Sequence, residues 1–142
     1  MAGDALRDAF RIELQSIITS AGLSWPFVDT QNTTALPDAS TGFISLEFPG
    51  GAERQFTFGS PGSNLHREEG QVTVRVSAPL GRSRDLAETA AAAIRTAFRM
   101  RRFAAGNGTV RITSTAPMGG GHDEAGLWVE AVALGYETYN VG

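Results

Sequence analysis

The side chains able to do chemistry are few, and they are scattered along the chain. The two histidines, His66 and His122, lie in segments that read as loops. His122-Asp123-Glu124 offers three groups of metal-ligating type. Adjacent loop residues seldom converge on one ion, so a solvated polar loop is the expectation. Gly119-Gly120-Gly121 lacks the strand–turn–helix context and the Lys of a phosphate-binding loop, and reads as spacing rather than a cradle. Neither G-x-S-x-G nor H-E-x-x-H occurs. Neighbouring carboxylates exist as Glu68-Glu69 and Asp123-Glu124, and side chains adjacent in sequence tend to point apart. The chain has no Cys, which excludes disulfides, thiol nucleophiles and zinc knuckles. These residues predict a protein that is not an enzyme and holds neither metal nor cofactor.

The arginines form the one cluster of like charge. Arg95, Arg99 and Arg102 fall at i, i+4 and i+7, on one face of a helix running that far. Such a stripe suits phosphate contacts, for instance along a DNA passage. It equally suits a solvated face whose last arginines complement the helix dipole. Aromatic interleaving of the kind used for single strands is missing, which favours the solvated face. All twelve basic residues are Arg and none is Lys. In an Ala- and Gly-rich sequence that pattern points to a GC-rich genome.

The formal charge of -3 gives no whole-chain footprint for nucleic acid or membrane. With 142 residues, 42% hydrophobic and 19% charged, a single globular domain over 1–142 with one core is expected. No apolar run approaches the ~20 residues of a membrane span. Asp4, Arg7, Asp8 and Arg11 interrupt any signal-peptide core, so a soluble protein kept inside a cell or particle is expected.

Periodicity places the elements. Leu6, Phe10, Leu14, Ile17 and Ala21, widened by Ala9 and Ile18, predict an amphipathic helix capped at Gly22. Trp25-Pro26 blocks its continuation, and residues 24–41 read as a long loop. Phe43–Phe48 predicts a strand, Pro49-Gly50-Gly51 a turn, and Arg54–Phe58 a second strand. Gly59–Gly70 reads as another long loop, with Arg67, Glu68 and Glu69 solvated. Val72, Val74 and Val76 alternate with Thr73, Arg75 and Ser77, marking a half-buried strand. After a Pro79-Leu80-Gly81 turn, Ser83 caps an Ala-rich helix that buries Leu86, Ala90, Ala93, Ile94, Ala97 and Phe98. Its arginine-rich end stops at Ala105–Gly108. Thr109–Thr115 predicts a strand, and Ala116–Gly126 a glycine-rich loop. The last strand, from Leu127 to about Tyr139, is apolar on both faces: Leu127, Val129, Ala131 and Ala133 on one, Trp128, Val132, Leu134 and Tyr136 on the other. It must be covered twice, either by both helices of its own chain or by another subunit. The fold class is therefore α+β: two helices packed on a mostly antiparallel sheet of about four to five strands, with long loops suited to partners.

This order of parts resembles the tail terminator-like proteins of long-tailed bacteriophages and gene transfer agents. The residues carrying it are Trp25-Pro26 after the first helix and the segment closing at Glu69-Gly70 before Val72-Thr73-Val74-Arg75-Val76. Pro79-Leu80-Gly81 leading into an Ala-rich helix that closes with Phe98, and the terminal strand with Trp128, complete it. The resemblance covers nearly the whole chain. It implies a non-enzymatic virion protein, assembled in the bacterial host cytoplasm, that forms a homohexameric ring on the head-proximal end of the tail tube. The ring stops tube polymerisation and offers a surface to the head-tail connector or stopper, with DNA only passing through. A head-completion (stopper) protein of the neck is the nearest alternative, and a small cytoplasmic ligand- or protein-binding module a more distant one.

Partner contacts are expected in the loops 29–41, 59–70 and 116–126, where Leu65, His66, Arg67, Glu68, Met118 and His122 stand, with Trp128 beyond them. Arg95, Arg99 and Arg102 are the candidates for contact with passing DNA. The two-faced terminal strand is the candidate for contacts between subunits.

Overall fold

The structure is a computed structural model, and it describes residues 4–23, 26–28, 42–55, 65–78, 83–105, 108–122 and 128–141. Helix α1 spans Asp4–Ser20 and buries Leu6, Ala9, Phe10, Leu14, Ile17 and Ile18, the stripe its spacing predicts. The helix stops where Gly22 takes the left-handed φ of 69°. There the Leu23 N–H donates to the Ile18 carbonyl at 3.0 Å and the Gly22 N–H to Thr19 at 3.2 Å. Ala21 lies past the end of α1 and is exposed, so the stripe ends one turn earlier than its spacing suggests.

Strands β1 (Phe27–Val28), β2 (Phe43–Gln55), β3 (Leu65–Ala78), β4 (Arg102–Ala105), β5 (Gly108–His122) and β6 (Trp128–Val141) form one sheet in the order β1-β2-β3-β6-β5-β4. Every neighbouring pair is antiparallel except the two-residue β1, which runs parallel to β2. Helix α2, Ser83–Phe98, packs on β6, β3 and β5, while α1 lies against β4 and α2. Both helices share one apolar core with the same face of the sheet, around Val72, Val74 and Val76 of β3 and Val132, Leu134 and Tyr136 of β6. Phe10 is its hub. Its ring centroid lies 5.0 Å from Phe103, 5.5 Å from Tyr136, 5.9 Å from Phe48 and 6.5 Å from Phe98.

The α+β class and the two-helix layer agree with the sequence reading, but four local expectations are overturned. Pro49-Gly50-Gly51 is not a turn: β2 runs through it with a register shift between Glu47 and Gly50. A bulge accommodates the missing proline donor without ending the strand. Residues 65–70 are not loop; they pair with β2 on one side and β6 on the other. Residues 116–122 likewise continue β5 along β6, past register shifts at Ile112/Ser114 and Pro117/Gly120. Finally, α2 ends at Phe98, with Met100 at a left-handed φ of 56° and the Arg101 N–H donating to Phe98, so Arg102 opens β4 instead of extending the helix.

The buried face of α2 is also rotated. Ala87, Ala90, Ala91, Ile94 and Phe98 face the core, whereas Leu86 is exposed and Ala93 half-buried. Alanines beneath the helix let its backbone come close to the sheet, which leaves the larger Leu86 on the shoulder. Trp25, the segments 29–41, 56–64 and 123–127, and the Pro79-Leu80-Gly81 turn lie outside the described residues.

Candidate assembly surface

Strand parity divides the functional residues between two faces. Even-numbered residues of β3 and β6 point to the helices, and odd-numbered ones point away. Because both helices sit on one side, the alternative in which β6 is sandwiched between them does not hold. Its odd face carries Val129, Ala131, Ala133 and Gly135, small or apolar groups in the middle of the sheet.

Ion pairs frame this strip. Arg75 meets Glu47 across β3 and β2 at 3.2 Å, Arg67 meets Glu69 at 2.6 Å, and Arg111 meets its register partner Glu137 at 3.0 Å. Partly exposed pairs of this kind contribute at most ~1 kcal/mol each. They set charged groups beside the apolar strip on this face, in which Val129 and Ala133 are buried and Ala131 is half-buried. Glu47, Thr73, Arg75, Val129 and Ala131 meet the 118–121 stretch of β5 around a shallow open cleft. Met118 stands at its rim with 58% of its surface exposed.

The structure separates the other candidate residues. Glu68 points toward the helices and is 5% exposed, which corrects the expectation that it is solvated. The parity of Val72, Val74 and Val76, extended back to residues 70 and 68, is the sequence signal that assigns it to the inner face. Burial, and to a lesser degree the Glu68 charge, push the Tyr136 hydroxyl up to about 12. Arg67, one residue away, faces outward and holds Glu69. Trp128 is half-buried against the core, and its indole N–H donates to Glu130 Oε1 at 2.9 Å. Leu65, His66 and His122 sit at strand positions, and their side chains lie outside the described residues. Leu65 and His66 belong to one end of the sheet and Met118, His122 and Trp128 to the other, so these candidates form no single site.

Arg95, Arg99 and Arg102 do not form the expected helical stripe. Arg95 is half-buried and Arg99 exposed at the end of α2, while Arg102 belongs to β4, directly opposite Arg111. Among the described residues no three His, Asp or Glu side chains gather as metal ligands, and no helix is long and apolar enough to cross a membrane.

Comparison with known proteins accords with this arrangement. A solved chain of similar length superposes with a TM-score of 0.68, covering 97% of this chain and 96% of its own, at 23% identity; that likeness establishes the fold alone. No curated protein matches. The family described as phage tail terminator protein matches residues 5–136, from the first turn of α1 to the middle of β6. Spanning both helices and nearly every strand, that match places the chain in the phage tail terminator protein family, among the structural proteins of bacteriophage tails.

Proposed function

We propose that copies of this chain assemble as a ring, hexameric by resemblance, on the head-proximal end of a tail tube. The ring hides the surface on which the tube would grow and presents a new one to the head-tail connector or stopper. DNA crosses it only in passage, and assembly takes place in the host cytoplasm. No bond is made or broken in this mechanism; it requires complementary surfaces held on a rigid frame.

The observation that carries the reading, beside family membership, is the outward face of β6. Val129, Ala131 and Ala133 are apolar and face away from both helices; Val129 and Ala133 are each 8% exposed within the chain, whereas Ala131 is half-buried and, with the exposed Met118, lines the open cleft. The cleft around Ala131 is taken as the assembly face. The segments 29–41, 56–64 and 123–127 are proposed to add contacts around it. Residues 65–70 drop out of the 59–70 loop expected to bind partners, because they belong to β3.

Ala131→Glu tests the reading. The new carboxylate stands opposite Arg75 in the ladder, a favourable cross-strand pair, so folding is preserved. Light scattering after size exclusion, with negative-stain images of the same fractions, is expected to show rings for the native sequence and none for the variant. Rings and tube capping that survive in Ala131→Glu, with native thermal stability, refute the role of this face.

A further inference from the structure

Along the Ala131 cleft β5 breaks step with β6. Pro117 pairs with Val132 and Gly120 with Glu130, so Met118 and Gly119 together stand opposite Ala131 alone. That is a bulge, a device by which a strand re-aims a side chain. Gly119 permits it, because its φ of 80° is a left-handed value that a residue with a side chain adopts only at a cost. The result shows on the outer face, where Met118 stands exposed on the rim of the cleft that half-buried Ala131 also lines.

What holds the bulge lies on the other side of the sheet. Gly120 lines the cleft, yet a Cβ added to it would run into Glu130 Oε1 and stand 2.6 Å from Glu130 Cδ and 2.8 Å from Trp128 Nε1. The Trp128 indole N–H donates to Glu130 Oε1 at 2.9 Å, so the two side chains are joined over the Gly120 backbone. Glu130 is 9% exposed, and a carboxylate so buried needs a donor, which the indole supplies. Trp128 in turn packs against the core. Only the thickness of one backbone separates this indole–carboxylate pair from the cleft.

We propose that Trp128 and Glu130 are positioning residues: clasped over Gly120, they fix the bulge that sets Met118 on the cleft rim. A contact on the helix side of the sheet thereby shapes the face that meets other subunits. On this account Trp128 acts through Gly120 and does not itself touch a partner. The inference rests on the Ala131 cleft being the assembly face, but the clasp is measurable without assembly.

Amide hydrogen exchange reads the clasp directly. Trp128→Phe keeps an aromatic ring but removes the donor, and Gly120→Ala drives a methyl group into the carboxylate. In each, exchange across residues 118–121 is expected to rise about tenfold, the factor carried by one hydrogen bond to a charged group, while β3 exchanges as slowly as in the native chain. Association, followed by light scattering on dilution, should weaken by about the same factor. Glu130→Gln keeps an oxygen for the indole N–H and should match the native chain in both assays. Native protection of 118–121 in both Trp128→Phe and Gly120→Ala overturns the clasp. Protection lost equally in β3 also overturns it, because the pair is then an ordinary part of the core. Protection lost at 118–121 with undiminished association overturns its role in assembly and leaves the ring reading standing. A native chain that stays monomeric, alone and with tail-tube ends, overturns the ring reading and that role together, while exchange still decides the clasp.

Discussion

Replacing Gly70 with alanine probes how tightly the two-faced strand is locked to its neighbour. Gly70 and Tyr136 are register partners on β3 and β6, and the phenol lies across the glycine. A Cβ at residue 70 would stand 2.6 Å from Tyr136 Oη, 2.8 Å from Cζ and 2.9 Å from Cε1. Carbon atoms settle at about 3.5–4.0 Å, so the ring must retreat by roughly 1 Å. It has nowhere easy to go. Tyr136 is 2% exposed and sits edge-on to Phe10, which in turn touches three other rings. Overpacking of this type costs about 1–3 kcal/mol. With an unfolding entropy of about 0.3 kcal/mol/K for a chain of this length, a cost of ~2.5 kcal/mol lowers Tm by roughly 8 °C. Urea unfolding followed by circular dichroism, at one protein concentration, measures the same loss at constant temperature. The control is Tyr136→Ala, which alone opens a cavity at about 3–5 kcal/mol. In that background the methyl group added by Gly70→Ala strikes nothing and should be neutral or slightly stabilising, giving a coupling of about 2–3 kcal/mol between the two sites. A Gly70→Ala protein within ~0.5 kcal/mol of native, or an equal cost with and without the Tyr136 ring, refutes the steric argument.

Three further outcomes are expected. Because the Tyr136 hydroxyl rises from 10.0 to about 12 on folding, its neutral form is favoured in the native state. The associated stability is complete below pH 10 and is lost as pH climbs through 12, by on the order of 2–3 kcal/mol; Tyr136→Phe should flatten that slope in urea titrations. Phe10→Ala removes the hub of the aromatic cluster and should cost about 3–5 kcal/mol, read as a drop in the urea midpoint. Trimming residues 56–64 to a short turn, with β2 and β3 kept whole, should leave Tm within a few degrees and weaken capping of tube ends in a sedimentation assay.

The sequence alone determined whatever depends on neighbours a few residues away. The stripe of α1, the stop at Gly22 and the alternation of Val72, Val74 and Val76 follow from helical and strand periods. The two-faced apolarity of β6 was equally legible. Which cover lies on which face of β6 was not, because that depends on where both helices dock. Pro49-Gly50-Gly51 suits a bulge as well as a turn, and the ladder with β3 decides between them. Residues 65–70 and 116–122 read as loops because nothing local holds them extended; pairing with β6 does. Glu68 and the α2 face show the same division, since alanine offers little contrast around a helix and a carboxylate next to Arg67 gives no local sign of burial. The facing of Arg102 and Arg111 exists only in three dimensions, where β4 pairs with β5. Local periods fix conformation over one or two turns, whereas strand partners and helix docking are set by long-range burial that a one-dimensional pattern does not encode.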